Sequence, residues 1–368
     1  MDAKKEKLLN GMMSLSGQDF RALEDAFEIV RNLRDEDAVY IDNKPSFDPV
    51  NFKDSMEYSA EIRKKCAELI KSGAAGRRGL DLYKRTLLFE APYNFDAYCR
   101  YIEWNREPSK RFYEPRRKQL KMVADELQRL ADGELDLLTI SCPPGVGKTT
   151  IAIFFLTWVA GKNPELSVLG GSHSNSFLHG VYEELIRVMM KNGEYLYNDV
   201  FPFSPIVNTN SKDMRIDLER AKRFETLEFS SIGSGNAGKV RCSRLLYCDD
   251  LVDGIETAMS KDRLDKLWQQ YYTDLRQRKI GSCVELHIAT RWSIWDPIGR
   301  LQLQYEGDPR AKFIALPAVN ANDESNFDYP YNLGFTTEFY HAQREIMDDA
   351  SWRALYMNEP IERLGRLY

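Results

Sequence analysis

Ser141-Cys142-Pro143-Pro144-Gly145-Val146-Gly147-Lys148-Thr149-Thr150 stands between an apolar run, Leu135 to Ser141, and an apolar stretch of helical character, Gly147 to Ala160. A strand that feeds a glycine turn and then a helix is the setting in which backbone N–H groups turn inward around phosphate oxygens, with the helix dipole behind them. Gly145 and Gly147 allow the turn, Lys148 supplies a point charge for β- and γ-phosphates, and the Thr149 hydroxyl can ligate Mg²⁺. The residues expected to line a nucleotide are therefore Pro144, Gly145, Val146, Gly147, Lys148, Thr149 and Thr150. The strict pattern has a further glycine six positions before the lysine, where this chain has Cys142. A plain glycine turn carrying an exposed lysine is the bland alternative, and the flanking strand and helix argue against it.

Outward from this loop the chain alternates. Strands are expected at Leu135 to Ser141, Leu166 to Gly170, Phe224 to Phe229, Arg244 to Cys248, Cys283 to Ala289 and Phe313 to Leu316. Between or before them lie helical patterns, among them Leu120-Val123-Leu127-Leu130, Phe177 to Met190, and Leu264-Leu267-Trp268-Tyr271. Alternating strands and helices predict an α/β fold with a mainly parallel central sheet.

Two of the strands end in chemistry. Leu245-Leu246-Tyr247-Cys248 runs into Asp249-Asp250, at the strand end where ligands sit in open α/β sheets. One carboxylate to hold Mg²⁺ and one to orient or deprotonate water is what phosphoanhydride hydrolysis requires; Asp249 takes the metal role and Asp250 the water. A helix-capping Asp pair is the structural alternative. Leu286-His287-Ile288-Ala289 ends in Thr290-Arg291-Trp292, where Thr290 and Arg291 could sense a γ-phosphate or simply form a turn.

The rest of the chain sets bounds. Its 368 residues, 43% hydrophobic and 29% charged, describe an ordinary globular protein of one large domain and an accessory one. No apolar run reaches the roughly 18 residues of a membrane span, and the opening Met-Asp-Ala-Lys-Lys-Glu-Lys has no apolar segment behind it, so an intracellular protein is expected. Six scattered cysteines without a Cys-x-x-Cys pair, and four scattered histidines, argue for reduced buried thiols rather than a zinc site. A net charge of −5 does not advertise nucleic-acid binding, although Lys110 to Arg117 and Arg276 to Lys279 are locally basic. Residues 1–110 read as a helical accessory region. Ser16 and Asp19 can cap a helix carrying Phe20, Leu23, Phe27, Val30 and Leu33; Asp35 to Lys53 reads as a loop; a second helix spans roughly Met56 to Ser72.

Taken together, these stretches resemble the ATPase portion of a tailed-bacteriophage terminase large subunit. The resemblance is carried by Tyr113-Glu114-Pro115-Arg116-Arg117, by the glycine loop with Trp158 beyond it, and by Leu245 to Val252. It continues through Ile288-Ala289-Thr290-Arg291-Trp292 with Asp296-Pro297-x-Gly299-Arg300-Leu301, Ala315-Leu316-Pro317-Ala318, and Trp352 to Tyr368. It implies a P-loop NTPase core of the RecA-like (ASCE) type over 111–360, with 361–368 opening a linker to a nuclease domain that this chain does not carry, so no nuclease activity is expected. It further implies ATP and Mg²⁺ as cofactors, and a viral motor working in the host cell cytoplasm, off the membrane. Its partners would be double-stranded DNA, a portal or procapsid, a terminase small subunit and copies of itself in a ring. By position, Gln119, with Arg116 or Arg117, would lie near the adenine, and Thr290 and Arg291 would couple hydrolysis to motion. Relatives often carry an arginine inside the loop; here Pro143, Pro144 and Val146 stand there, so Arg241 or Arg244 is expected to serve as an arginine finger for a neighbouring subunit. Two rivals remain open: another nucleic-acid-dependent motor such as a helicase, and a scaffold that binds nucleotide without turnover.

Overall fold

The structure, a computed structural model, describes residues 3–15, 20–37, 39–41, 44–46, 53–191, 193–233 and 241–361. The Ser16–Asp19 cap, part of the basic loop before Arg241 and nearly all of 361–368 lie outside the described residues. The chain divides into two compact units, Met1–Trp104 and Asn105–Tyr368.

The first unit is helical: α1 (Ala3–Leu15), α2 (Phe20–Asp37), α3 (Lys53–Lys71), α4 (Gly76–Glu90) and α5 (Phe95–Ile102). The stripe expected on α2 is the one buried, with Leu23, Phe27 and Val30 packed among Leu9, Ile62, Cys66, Leu82 and Phe89. Within the stretch expected to be loop, a short antiparallel pair forms, β1 (Val39–Ile41) with β2 (Lys44–Ser46). Its first strand is a Val-Tyr-Ile run, the β-branched and aromatic composition that favours pleated backbone.

The second unit begins with α6 (Tyr113–Ala131), β3 (Leu137–Ser141), α7 (Lys148–Lys162), β4 (Val168–Ser172), α8 (Asn175–Met189) and α9 (Tyr197–Val200). Then come β5 (Ile206–Asn210), β6 (Arg215–Leu218), β7 (Leu227–Ser231), β8 (Leu245–Asp249), α10 (Ile255–Ala258) and α11 (Lys261–Gln270). The series closes with β9 (Val284–Ala289), α12 (Pro297–Gln304), β10 (Ala311–Ala315), α13 (Thr337–Ile346) and α14 (Asp349–Leu355). Among the described residues they form an eight-stranded sheet in the order β10-β3-β9-β8-β4-β7-β6-β5. It is parallel from β10 to β7 and antiparallel at the β7-β6-β5 edge.

This is the α/β architecture expected, with a mainly parallel sheet and a helical N-terminal region. β9 lies between the strand that feeds the glycine loop and the strand that ends in Asp249. The antiparallel edge was not expected. The Ile-Val-Asn-Thr-Asn run of β5 is partly or fully exposed along its length, so it lacks the apolar signal of the central strands.

Helix α7 explains its own composition. Every residue from Ile151 to Gly161 is buried, and a helix apolar on all sides belongs in the middle of a core. The stretch that hydropathy singles out is thus the central helix of the unit. No described helix is long and apolar enough to cross a membrane. On β8, Leu246 and Cys248 pack with Leu169 of β4 against Leu264, Leu267 and the π-helical turn residues Tyr271 and Leu275. All six cysteines are buried and free.

Candidate functional site

Parallel register decides which residues meet. Ser141 pairs with Ala289, Asp249 with Ile288, and Gly171 with Cys248. The carboxyl ends of β3, β9, β8 and β4 therefore finish side by side, and the residues just beyond them share one edge.

At that edge the loop from Cys142 turns through Gly145 (φ 79°) and Gly147 (φ 100°) into α7. Both glycines occupy the left-handed region that other residues enter only at a cost. Space forbids a side chain as well. A Cβ on Gly145 would lie 2.8 Å from the Phe335 ring, and one on Gly147 would overlap the ring of Phe112. Cys142, by contrast, is not among the positive-φ residues. It is buried, and burial pushes its thiol up to about 12. The departure from the strict glycine pattern thus falls where the backbone does not need glycine.

The Lys148 ammonium donates to Thr290 Oγ1 at 2.9 Å and lies 3.4 Å from Asp250 Oδ2. Thr290 in turn donates through its backbone N–H to Asp250 Oδ1 at 3.0 Å, and through its hydroxyl to the Cys142 carbonyl at 3.4 Å. Lys148, Asp250 and Thr290 are thus brought together from three different strand ends.

Asp249 is fully buried. Burial raises its carboxyl well above the ordinary range, and Asp250 beside it adds to the rise; Tyr247, Lys148 and Thr149 pull the other way. Tyr247 donates its phenolic O–H to Oδ2, while Oδ1 carries no hydrogen bond that meets normal geometry. Thr149 lies near enough to lower the Asp249 carboxyl. A buried carboxylate oxygen without a donor, next to a hydroxyl, suits a hard divalent cation. Thr149 and Asp249 therefore fit Mg²⁺.

Asp250 itself is left-handed, at φ 41°. In a regular strand successive side chains point to opposite faces, which would separate Asp250 from Asp249. The left-handed turn breaks that alternation and leaves both carboxylates within the field of Lys148.

Arg116 and the remaining loop residues lie beside the glycine turn. Arg116 stacks over Phe112 and Tyr329 and donates to the Phe112 and Leu333 carbonyls, each at 2.9 Å. It therefore lies one aromatic ring away from Gly147. Gln119 is half-buried one turn further along α6. Pro144 is exposed and Val146 buried, with Thr150 in the first turn of α7.

Arg291 is placed differently from its expected sensing role. Its side chain is buried and donates to Asp296 Oδ2 at 2.9 Å, with Gln302 and the Ser293 carbonyl taking other N–H groups. Asp296 also accepts from the N–H groups of Trp292, Ser293 and Gly299. The Thr-Arg-Trp…Asp-Pro-x-Gly stretch is thus a knotted turn into α12, and Arg291 belongs to the knot.

Arg244 lies apart from the loop of its own chain. It precedes β8, so the length of that strand, about 17 Å at about 3.3 Å per residue, separates it from Asp249. Its guanidinium turns inward and donates to the Ala131 carbonyl at 2.5 Å. Arg241 is exposed at the same amino edge, remote from this chain's own loop.

With this geometry in view, comparison with known proteins adds little. No family model matches the chain, and no curated protein matches it. The chain is structurally similar to the crystal structure of the HK97 bacteriophage large terminase. Identity is 12% and the TM-score 0.44, over 64% of this chain and 49% of that one. The chain therefore spans about half the length of that structure, and a likeness of this depth transfers no residue role.

Some site residues were missed by sequence reasoning. Phe112 and Phe335 wall the glycine loop through contacts that only the tertiary fold creates. His173 and Ser172, whose Nδ1 and Oγ lie 2.6 and 3.5 Å from the Asp250 carbonyl, could have been found, since they stand at the end of a strand as Asp249 and Asp250 do. Tyr247 sits two residues before Asp249 on β8, but only the pleat reveals that it faces the carboxylate.

Proposed function

We propose that the chain is an ATP-hydrolysing motor subunit of a viral terminase, binding MgATP at Pro144 to Thr150 and driving translocation of double-stranded DNA into a procapsid. The observation that carries the ATPase reading is the convergence of Lys148, Asp249, Asp250 and Thr290 at one sheet edge, beside a loop whose glycines have no room for side chains. In this reading Lys148 leaves its present contacts to bind the β- and γ-phosphate oxygens, and the amides at the start of α7 add their dipole. Mg²⁺, held by Thr149 and Asp249, would neutralise phosphate charge and orient the γ-phosphoryl group. Asp250 orients the attacking water and accepts its proton. Thr290, which already joins Lys148 to Asp250, feels the loss of the γ-phosphate.

DNA packaging, a ring of subunits, the portal and the small subunit come from the sequence resemblance alone. A charge-stabilising arginine from a neighbour remains part of the proposal, and Arg241 is the candidate left with an exposed side chain. Phosphate release by the purified chain, with and without linear duplex DNA and procapsids, tests the proposal. We expect Lys148→Ala to lose nucleotide binding at least about tenfold. Asp250→Asn should lose turnover by about a hundredfold or more while still binding. Equal turnover by wild type and Asp250→Asn would leave only a nucleotide-binding scaffold, and unwinding of duplex DNA would favour a helicase.

A further inference from the structure

The main chain of half-buried Asp250 is held on both sides of its Cα. Its N–H donates to the Ile288 carbonyl at 2.9 Å. Its carbonyl faces His173 Nδ1 at 2.6 Å and Ser172 Oγ at 3.5 Å, both at the carboxyl end of β4. A carbonyl oxygen only accepts, so His173 Nδ1 carries the hydrogen that points at it. The His173 ring is half-buried and lies against Phe177 in a stacked arrangement, 6.3 Å between centroids, which fixes the plane in which that N–H is presented.

A non-glycine residue at positive φ is uncommon, and such conformations persist where surrounding bonds over-determine them. Here the turn is what brings the Asp250 carboxylate to Lys148 and Thr290. Without the His173 bond, the peptide after Asp250 would be free to relax toward the extended region, carrying the carboxylate away from Lys148.

We propose that His173 is a positioning residue for the hydrolysis proposed above: its Nδ1–H holds the Asp250 carbonyl, and so aims the Asp250 carboxylate. It rests on the ATPase reading of the same site. His173 need not touch nucleotide for this role.

The test uses the full chain, comparing wild type with His173→Ala, His173→Asn and His173→Gln, and with Asp250→Asn as reference. The asparagine amide nitrogen stands the same number of bonds from Cα as Nδ1, and the glutamine amide nitrogen the same number as Nε2. Steady-state phosphate release gives kcat and KM, a fluorescent non-hydrolysable ATP analogue with Mg²⁺ gives Kd, and thermal melting gives Tm. Since a displacement near 1 Å can cost about a hundredfold in rate, His173→Ala should lower kcat at least about tenfold. KM and analogue Kd should stay within about twofold, with little change in Tm. His173→Asn should recover most of kcat and His173→Gln should not.

Wild-type kcat in His173→Ala would overturn the proposal. So would equal loss in the Asn and Gln variants, or a loss confined to Kd or Tm. Nitrogen-15 NMR of the His173 ring reads Nδ1 protonation without turnover, and an unprotonated Nδ1 would overturn the proposal directly. A wild-type chain that binds the analogue yet matches Asp250→Asn in phosphate release would instead sink the ATPase reading.

Discussion

Thr290 and Arg291 are neighbours in sequence with opposite fates. Thr290 bridges Lys148 and the Asp250 loop, whereas Arg291 is sealed against Asp296. Their substitutions should separate accordingly. Arg291→Ala leaves a buried Asp296 without its cation, and should destabilise the chain by about 3–5 kcal/mol in urea titration. Thr290→Val removes hydrogen bonds of about 1 kcal/mol each, and should reduce phosphate release far more than it reduces stability. The reverse pattern would return Arg291 to a sensing role. Arg244→Ala should lose some stability through the Ala131 carbonyl but keep phosphate release in the ring proposed above, and a collapse of turnover there would support it as a finger. Sequence spacing placed both arginines near chemistry; the direction of a side chain at a strand end is not a property of spacing.

At the scale of elements, β9 is tied to the π-helical turn after α11 through Glu285. His287 Nε2–H donates to its Oε1 at 2.6 Å, Tyr271 donates to the same oxygen, and Lys279 approaches Oε2 at 3.1 Å. Burial alone would raise the Glu285 carboxyl, but the bonds and charges of His287, Lys279 and Tyr271 outweigh it and hold the carboxyl at about 2. A carboxyl depressed in the folded state contributes stability that is complete above its unfolded value, near about 4.3, and is lost as pH falls toward about 2. The size is about 3 kcal/mol, at 1.36 kcal/mol for each step of pH between about 4.3 and about 2. Urea titrations between about pH 5 and pH 3 should show stability falling less steeply in Glu285→Gln than in wild type; parallel slopes would refute the linkage. The cluster was not legible beforehand, because Glu285 and His287 read as polar interruptions in an apolar strand. Their partners come from a segment whose π-helical geometry has no sequence signature.

For the whole molecule, two compact units with separate cores predict two-part behaviour. Calorimetry should resolve two unfolding transitions. MgATP at a hundred times its Kd should stabilise by about 2.7 kcal/mol, raising the transition of the 105–368 unit and leaving that of the 1–104 unit in place. Both transitions rising together would mean that nucleotide binding draws on the first unit as well.

The sequence alone determined the α/β class, the parallel run of central strands and the loop from Cys142 to Thr150. It also located Asp249-Asp250 at a strand end. It could do so because backbone periodicity, glycine conformation and strand-end position are local properties. Tertiary structure decided the rest. Register brought Thr290 to Lys148, and packing walled the glycines with Phe112 and Phe335. A left-handed turn left both carboxylates within the field of Lys148, and His173 reached that turn from another strand. Each of these joins residues far apart in the chain, where only the folded geometry sets distance and direction.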